Sequence, residues 1–126
     1  MRDFKKYDVW EKSHELVLYI YKNVLPELPQ EEKYGLSKQL SRAAYSIPLN
    51  IAEDCGRSSD KDFSHFLDMA LGSHEVEYCS ILAADLCILD TDKNERLNSL
   101  INEVKAMLIS LIKSIRKRFY NKTSKP

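Results

Sequence analysis

The chain has 126 residues, 44% of them apolar and 30% charged, with only three glycines and four prolines. That profile suits one globular domain with a real core, over 1–126, and excludes a disordered or low-complexity segment. Lys and Arg balance Asp and Glu to a formal net charge of zero, so any affinity for a polyanion has to come from local charge rather than from the whole surface.

No run approaches the roughly 18 apolar residues of a membrane span. The opening MRDFKKYDVW lacks the apolar segment of a secretory signal. Cys55, Cys79 and Cys87 form no CxxC pair and no zinc spacing, and their helical surroundings suit buried free thiols in a reducing compartment. A cytoplasmic protein without a membrane partner is expected.

Apolar periodicity predicts four helices, at about 8–25, 31–56, 59–89 and 92–120, with a frayed tail at 121–126. Helix 1 opens on a capping box, Asp8 as N-cap and Glu11 three residues on, and ends at Pro26 and Pro29. Helix 2 starts at Glu31 or Leu36 and ends at Cys55, with Gly56 as its C′ residue. Ser59 and Asp62 cap helix 3, whose apolar side is read as Phe63, Phe66, Leu67, Ala70, Leu71, Ile81, Leu82, Ile88 and Leu89. Asp90, Thr91 or Asp92 caps helix 4. Short links between long amphipathic helices predict an all-α, antiparallel up-down-up-down four-helix bundle.

Helix 2 carries SRAAYSIPLNIAEDCGR, a helical pattern broken by Pro48. At about 100° per residue, Gln39, Arg42, Ser46, Asn50, Glu53 and Arg57 fall in an arc of roughly 80°. Leu36, Leu40, Ala43, Ala44, Ile47, Ile51 and Cys55 occupy the next arc. The remainder (Tyr45, Pro48, Leu49 and Ala52) is too apolar for a solvent face and is read as contact with a partner subunit. Pro48 removes one helical donor and predicts a kink near Ala44–Pro48, with Ser46 or Asn50 taking a freed carbonyl. The polar stripe is read as structural: Arg42 or Arg57 is held by Glu53 or by Glu77 of helix 3, which falls near that helix's apolar arc and needs a partner.

Charge is unevenly spread. Between Ser58 and Asp92 eight acids (Asp60, Asp62, Asp68, Glu75, Glu77, Asp85, Asp90, Asp92) face one base, Lys61; after Glu103 there are seven bases and no acid. Either the acidic helix lies beside the basic one, or the basic end meets a polyanion.

The string RAAYSIPLNIAEDCGR, preceded by YGLSKQL and followed by DFSHFLDMALGS, resembles the 23S rRNA intervening-sequence protein family of bacterial four-helix bundles. The resemblance spans about residues 4–115. Its specific core is Arg42, Ala43, Ser46, Ile47, Pro48, Asn50, Ile51, Ala52 and Glu53. The family commonly has Gly after NIAE where this chain has Asp54, and either Glu75 or Glu77 takes its acidic position on helix 3. The resemblance implies a homopentamer. A similar bundle occurs in accessory proteins of diversity-generating retroelements, which are basic and associate with nucleic acid, whereas this chain has no net charge.

No catalytic residue, metal site or cofactor is expected. Glu11-x-x-His14 and Asp62-x-x-His65, with Glu53 and Glu103, mimic a di-iron ligand set, but Glu11 and His65 fall away from their helices' apolar arcs. Arg57 and His65 are too far apart, across a loop, for an Arg–spacer–His ribonuclease. His74 falls on the apolar side of helix 3, as a core or interface residue. The leading expectation is therefore a non-enzymatic, homo-oligomeric bundle that binds RNA phosphates through Lys113, Arg116, Lys117, Arg118 and Lys122, with Arg2, Lys5 and Lys6 as further contacts. The alternative is a protein-interaction scaffold in which the basic helix pairs with acidic helix 3.

Overall fold

The computed structural model describes residues 3–55 and 64–124, with 64–66, 115 and 118–124 as backbone alone. It is helical, with no strand among the described residues, in four main helices: α1 (Asp8–Tyr19), α2 (Leu36–Cys55), α3 (Ser64–Asp85) and α4 (Thr91–Ser124). Each helix packs on two others in a closed ring, α1 and α3 both against α2 and α4, which is the arrangement of a four-helix bundle. Leu16, Ile20, Leu40, Ile47, Met69, Val76, Leu97, Leu100, Ile101 and Leu108 fill the space between them.

The helix ends depart from the expected caps for identifiable reasons. Asp8 is the first helical residue rather than the N-cap; Tyr7 occupies the cap without a side-chain bond, and Asp8 and Glu11 complement the dipole of the first turn. Beyond Tyr19 the chain continues through a π-turn, Ile20–Val24, and a 3₁₀ turn, Leu25–Glu27. The wide turn precedes Pro26, whose ring crowds the carbonyl of Lys22 in regular α geometry. A separate 3₁₀ turn, Gln30–Glu32, comes before α2, which therefore starts at Leu36. Asp90 caps α4 by accepting the Lys93 N–H at 3.3 Å, and α4 continues through 121–124, which were expected to fray. Gly56, Ser59, Asp62 and Phe63 lie outside the described residues.

Helix α3 stops at Asp85, four residues short of expectation. Ile88 N–H bonds Ala83 O at 3.2 Å and Cys87 N–H bonds Ala84 O at 3.0 Å, the paired bonds of a Schellman end with Cys87 at C′. Cys87 has φ of 56°, a left-handed conformation in which a β-carbon is strained. Replacing it with glycine is expected to stabilise the fold by about 0.5–1 kcal/mol, read as a higher urea midpoint at unchanged slope. The exposed thiol also corrects the expectation of three buried cysteines; only Cys55 and Cys79 are buried.

The largest correction concerns the faces of α3. It buries Met69, Ser73, Val76, Cys79, Ser80 and Ala83, a mostly small-residue side. Leu67, Leu71, Tyr78 and Ile81 point outward, and His74 stands exposed among them. Gly72 sets how close α2 can come: a β-carbon there would meet Ser46 Oγ at 2.6 Å and Ala43 O at 3.0 Å.

Candidate functional site: the α2–α3 groove and the basic end of α4

Every residue of the predicted apolar arc of α2 is buried, and this rotation presents the polar stripe to α3. Gln39, Arg42, Ser46 and Asn50 line an open groove of about 420 Å³ whose other wall is Asp68, Leu71, Gly72 and Glu75. Around Pro48, Ser46 Oγ donates to Ala43 O and Asn50 Nδ2 to Ser46 O, both at 2.7 Å. Neither bond takes the Ala44 carbonyl, the one that Pro48 leaves without its helical donor, so the expected rescue of a freed carbonyl is not what these side chains do. Across the groove, Gln39 Nε2 donates to Glu75 Oε2 at 2.8 Å.

Two expectations for the stripe are corrected here. Glu77 is not part of it: its carboxylate pairs with Lys105 of α4, because two residues of helix rotate a side chain by about 200°, from the α2 side to the α4 side. Glu75 takes the groove position. Arg42 is exposed and forms no ion pair or hydrogen bond with a described residue, so it is not held by Glu53 or Glu77. Glu53 is exposed on the same helix, and Arg57 lies outside the described residues. Of the expected partner contacts, Tyr45 and Leu49 are exposed and Ala52 is half-buried, but Pro48 is buried within the chain and offers nothing to a neighbour.

Hydrogen bonding by Lys105 holds the Glu77 carboxyl below its ordinary value, against a smaller opposing effect of burial. A carboxylate depressed in the fold stabilises above its unfolded pKa, and the contribution disappears as pH falls through the folded one. Glu77→Gln is therefore expected to flatten the loss of thermal stability below about pH 4.5; an unchanged acid limb in melting curves would place that loss elsewhere. Glu27, bonded by Lys93 at 2.6 Å, behaves likewise.

Further along α4, towards its C-terminal end, Lys113, Arg116 and Lys117 are exposed. None of them pairs with a described acid, in contrast to Lys105. Their spacing of three and four residues puts them on one helix face. The side chains of Arg118 and Lys122 lie outside the described residues. Contacts of Lys12 with Glu103 at 3.0 Å and of Arg96 with Glu15 at 3.2 Å set the heights of α1 and α4, and place the exposed Lys5 and Lys6 beside the turn before Lys113.

His14 stacks on Trp10, with centroids 4.9 Å apart, and Glu11 is exposed. Among the described residues no group of three His, Cys, Asp or Glu could hold a metal ion, and no helix is long and apolar enough to cross a membrane. Sequence reasoning missed Glu75, Asp68 and Gly72 as groove walls; the spacing of the acids was visible, but their rotation about α3 depended on which face was buried.

No curated protein matches the chain. The family model for the 23S rRNA-intervening sequence protein matches residues 5–110, nearly all of the bundle just described, and the chain belongs to that family.

Proposed function

We propose that this chain is a non-enzymatic, homo-oligomeric binding module that holds RNA by its phosphates through the last turns of α4. The observation that carries this reading is the exposed Lys113, Arg116 and Lys117 on one face, uncompensated by any described acid while nearby Lys105 is neutralised by Glu77. Arg118 and Lys122 extend the same run in sequence. Lysine and arginine in this arrangement confer affinity without sequence preference. The family resemblance implies five copies, and the exposed apolar residues of α2 and α3 supply a surface for assembly.

The same reading takes the chain as one domain with up-down-up-down helix order, supported by the short connections and the ring of contacts. Pro48 bends α2, supported by its place inside the helix, where it removes the donor to Ala44 O and crowds that carbonyl. The free thiols of Cys79 and Cys87 suit the cytoplasm. The scaffold alternative rests on the Glu77–Lys105 pair, where an acid of α3 does meet a base of α4.

Fluorescence anisotropy with a single-stranded RNA oligonucleotide at low salt separates the two. Lys113/Arg116/Lys117/Arg118→Ala is expected to lose binding while light scattering and circular dichroism stay unchanged. A wild-type protein that binds no RNA at low salt, or a variant that loses its assembly instead, favours the scaffold.

A further inference from the structure

We propose that the turn leading into α2 takes a base of single-stranded RNA, stacked on the ring of Tyr34 over an apolar floor of Leu25, Leu28 and Pro29 and beside Lys33 and Lys38. This deepens the RNA reading above and rests on it, adding a base contact to a grip that otherwise reaches phosphates alone. The first observation is where Tyr34 stands. It is 82% exposed, more than any other large apolar side chain among the described residues, the next being 63%. The cause is local. Past the 3₁₀ turn Gln30–Glu32, Lys33 N–H bonds Gln30 O and Gly35 N–H bonds Glu32 O, both at 3.1 Å. Tyr34 therefore leaves the chain before α2 begins at Leu36, outside the apolar core.

The second observation is what surrounds the ring. Tyr34 lines an open groove of about 470 Å³ whose apolar lining is Leu25, Leu28 and Pro29, and whose charged lining is Lys33 and Lys38 with no acid. Lys33 Nζ lies over the Tyr34 ring, 5.5 Å from its centroid. Neither lysine pairs with a described acid, whereas Lys93 is taken by Glu27. From Lys33 to Ala52 the chain carries three bases and no acid. A single exposed tyrosine is ordinary, but an open aromatic face among cations is the arrangement that stacks bases of a single strand without regard to sequence. An acidic peptide would satisfy the lysines and leave the ring without a flat partner. The cation over the ring also restrains it, so less side-chain freedom is lost when a base arrives.

Reach is consistent with one strand touching both ends of the bundle. Lys93 Nζ bonds Glu27 Oε1 at 2.6 Å, which sets the turn before α2 level with the start of α4. Lys113 lies roughly 30 Å of helix further on. A strand of about 12 nucleotides, within the usual range of single-strand sites, covers that span. One stacked base is a weak hold by itself, so the contact acts on RNA already held by the last turns of α4.

Anisotropy of a labelled oligouridine of about 12 nucleotides at low salt tests the contact in the full chain. Tyr34→Ala is expected to weaken binding roughly 5- to 150-fold, the loss typical of one stacked base, and Tyr34→Phe to bind as the wild type does. Stacking releases no counterion, so the slope of affinity against salt should be the same for Tyr34→Ala as for the wild type. Thermal melting and light scattering should not change, because so exposed a ring contributes little to the fold. With thiouridine in the strand, ultraviolet cross-links should fall on the peptide that contains Tyr34. Equal affinity for Tyr34→Ala, with cross-links elsewhere, overturns this contact and leaves the α4 reading standing. Lost assembly or a lowered melting temperature in Tyr34→Ala would make the ring structural and overturns it too. Uridine monophosphate competing as well as the strand would make the groove a small-molecule site and overturn the RNA assignment. A wild type that binds no RNA overturns both readings.

Discussion

Gly72→Ala is expected to destabilise the bundle by about 1–3 kcal/mol, the usual cost of overpacking a tight contact, although alanine is the better helix former by about 1 kcal/mol. The added carbon would stand 2.6 Å from Ser46 Oγ, 3.0 Å from Ala43 O and 3.4 Å from Ile47 Cγ1. The hydroxyl can yield only by giving up its bond to Ala43 O, and the carbonyl is backbone, so the rest of the strain separates α2 from α3. Ser46→Ala removes the nearer obstacle but leaves the carbonyl. The double variant should therefore recover part of the loss, with a coupling of about 1 kcal/mol in a denaturation cycle. If Gly72→Ala alone proved as stable as the wild type, the close approach that shapes the groove would not exist in solution.

That contact also shows why α2 was legible and α3 was not. Helix α2 follows the ordinary rule: its arc from Leu36 to Cys55 is apolar, and it is buried. On α3 the same rule points the wrong way. A helix held close to its neighbour at Gly72 has room for Ser73, Ser80 and Ala83 inside, and its leucines face outward. Periodicity gives two apolar arcs on such a helix and cannot rank them, because the ranking depends on how closely the neighbouring helix approaches. The exchange of Glu77 for Glu75 follows from this single rotation, as does the exposure of His74.

The end of α3 was hidden for another reason. A cysteine at a left-handed C′ position carries none of the glycine or asparagine signal that marks a helix end. Asp90, by contrast, was among the residues expected to cap α4, and its side chain does so. The basic run after Glu103 was legible in the sequence. Its division into a neutralised Lys105 and exposed Lys113, Arg116 and Lys117 was not, since that depends on where Glu77 points.

This division leads to the second large effect, on salt dependence. If the five bases Lys113, Arg116, Lys117, Arg118 and Lys122 each neutralise one phosphate of single-stranded RNA, log K should fall against log salt with a slope of about −3.5 per chain. Affinity then drops roughly 100-fold between 50 and 200 mM salt. Removing Lys113, Arg116, Lys117 and Arg118 leaves a slope of about −0.7, a change of only about threefold over the same range. Lys105→Ala is the control that separates local charge from total charge. It deletes a base of the same helix, but one whose charge Glu77 already neutralises, so the wild-type slope should persist. A slope that shrank equally for Lys105→Ala and for Lys113→Ala would mean that RNA responds to the overall field of α4, and the assignment to its last turns would fail.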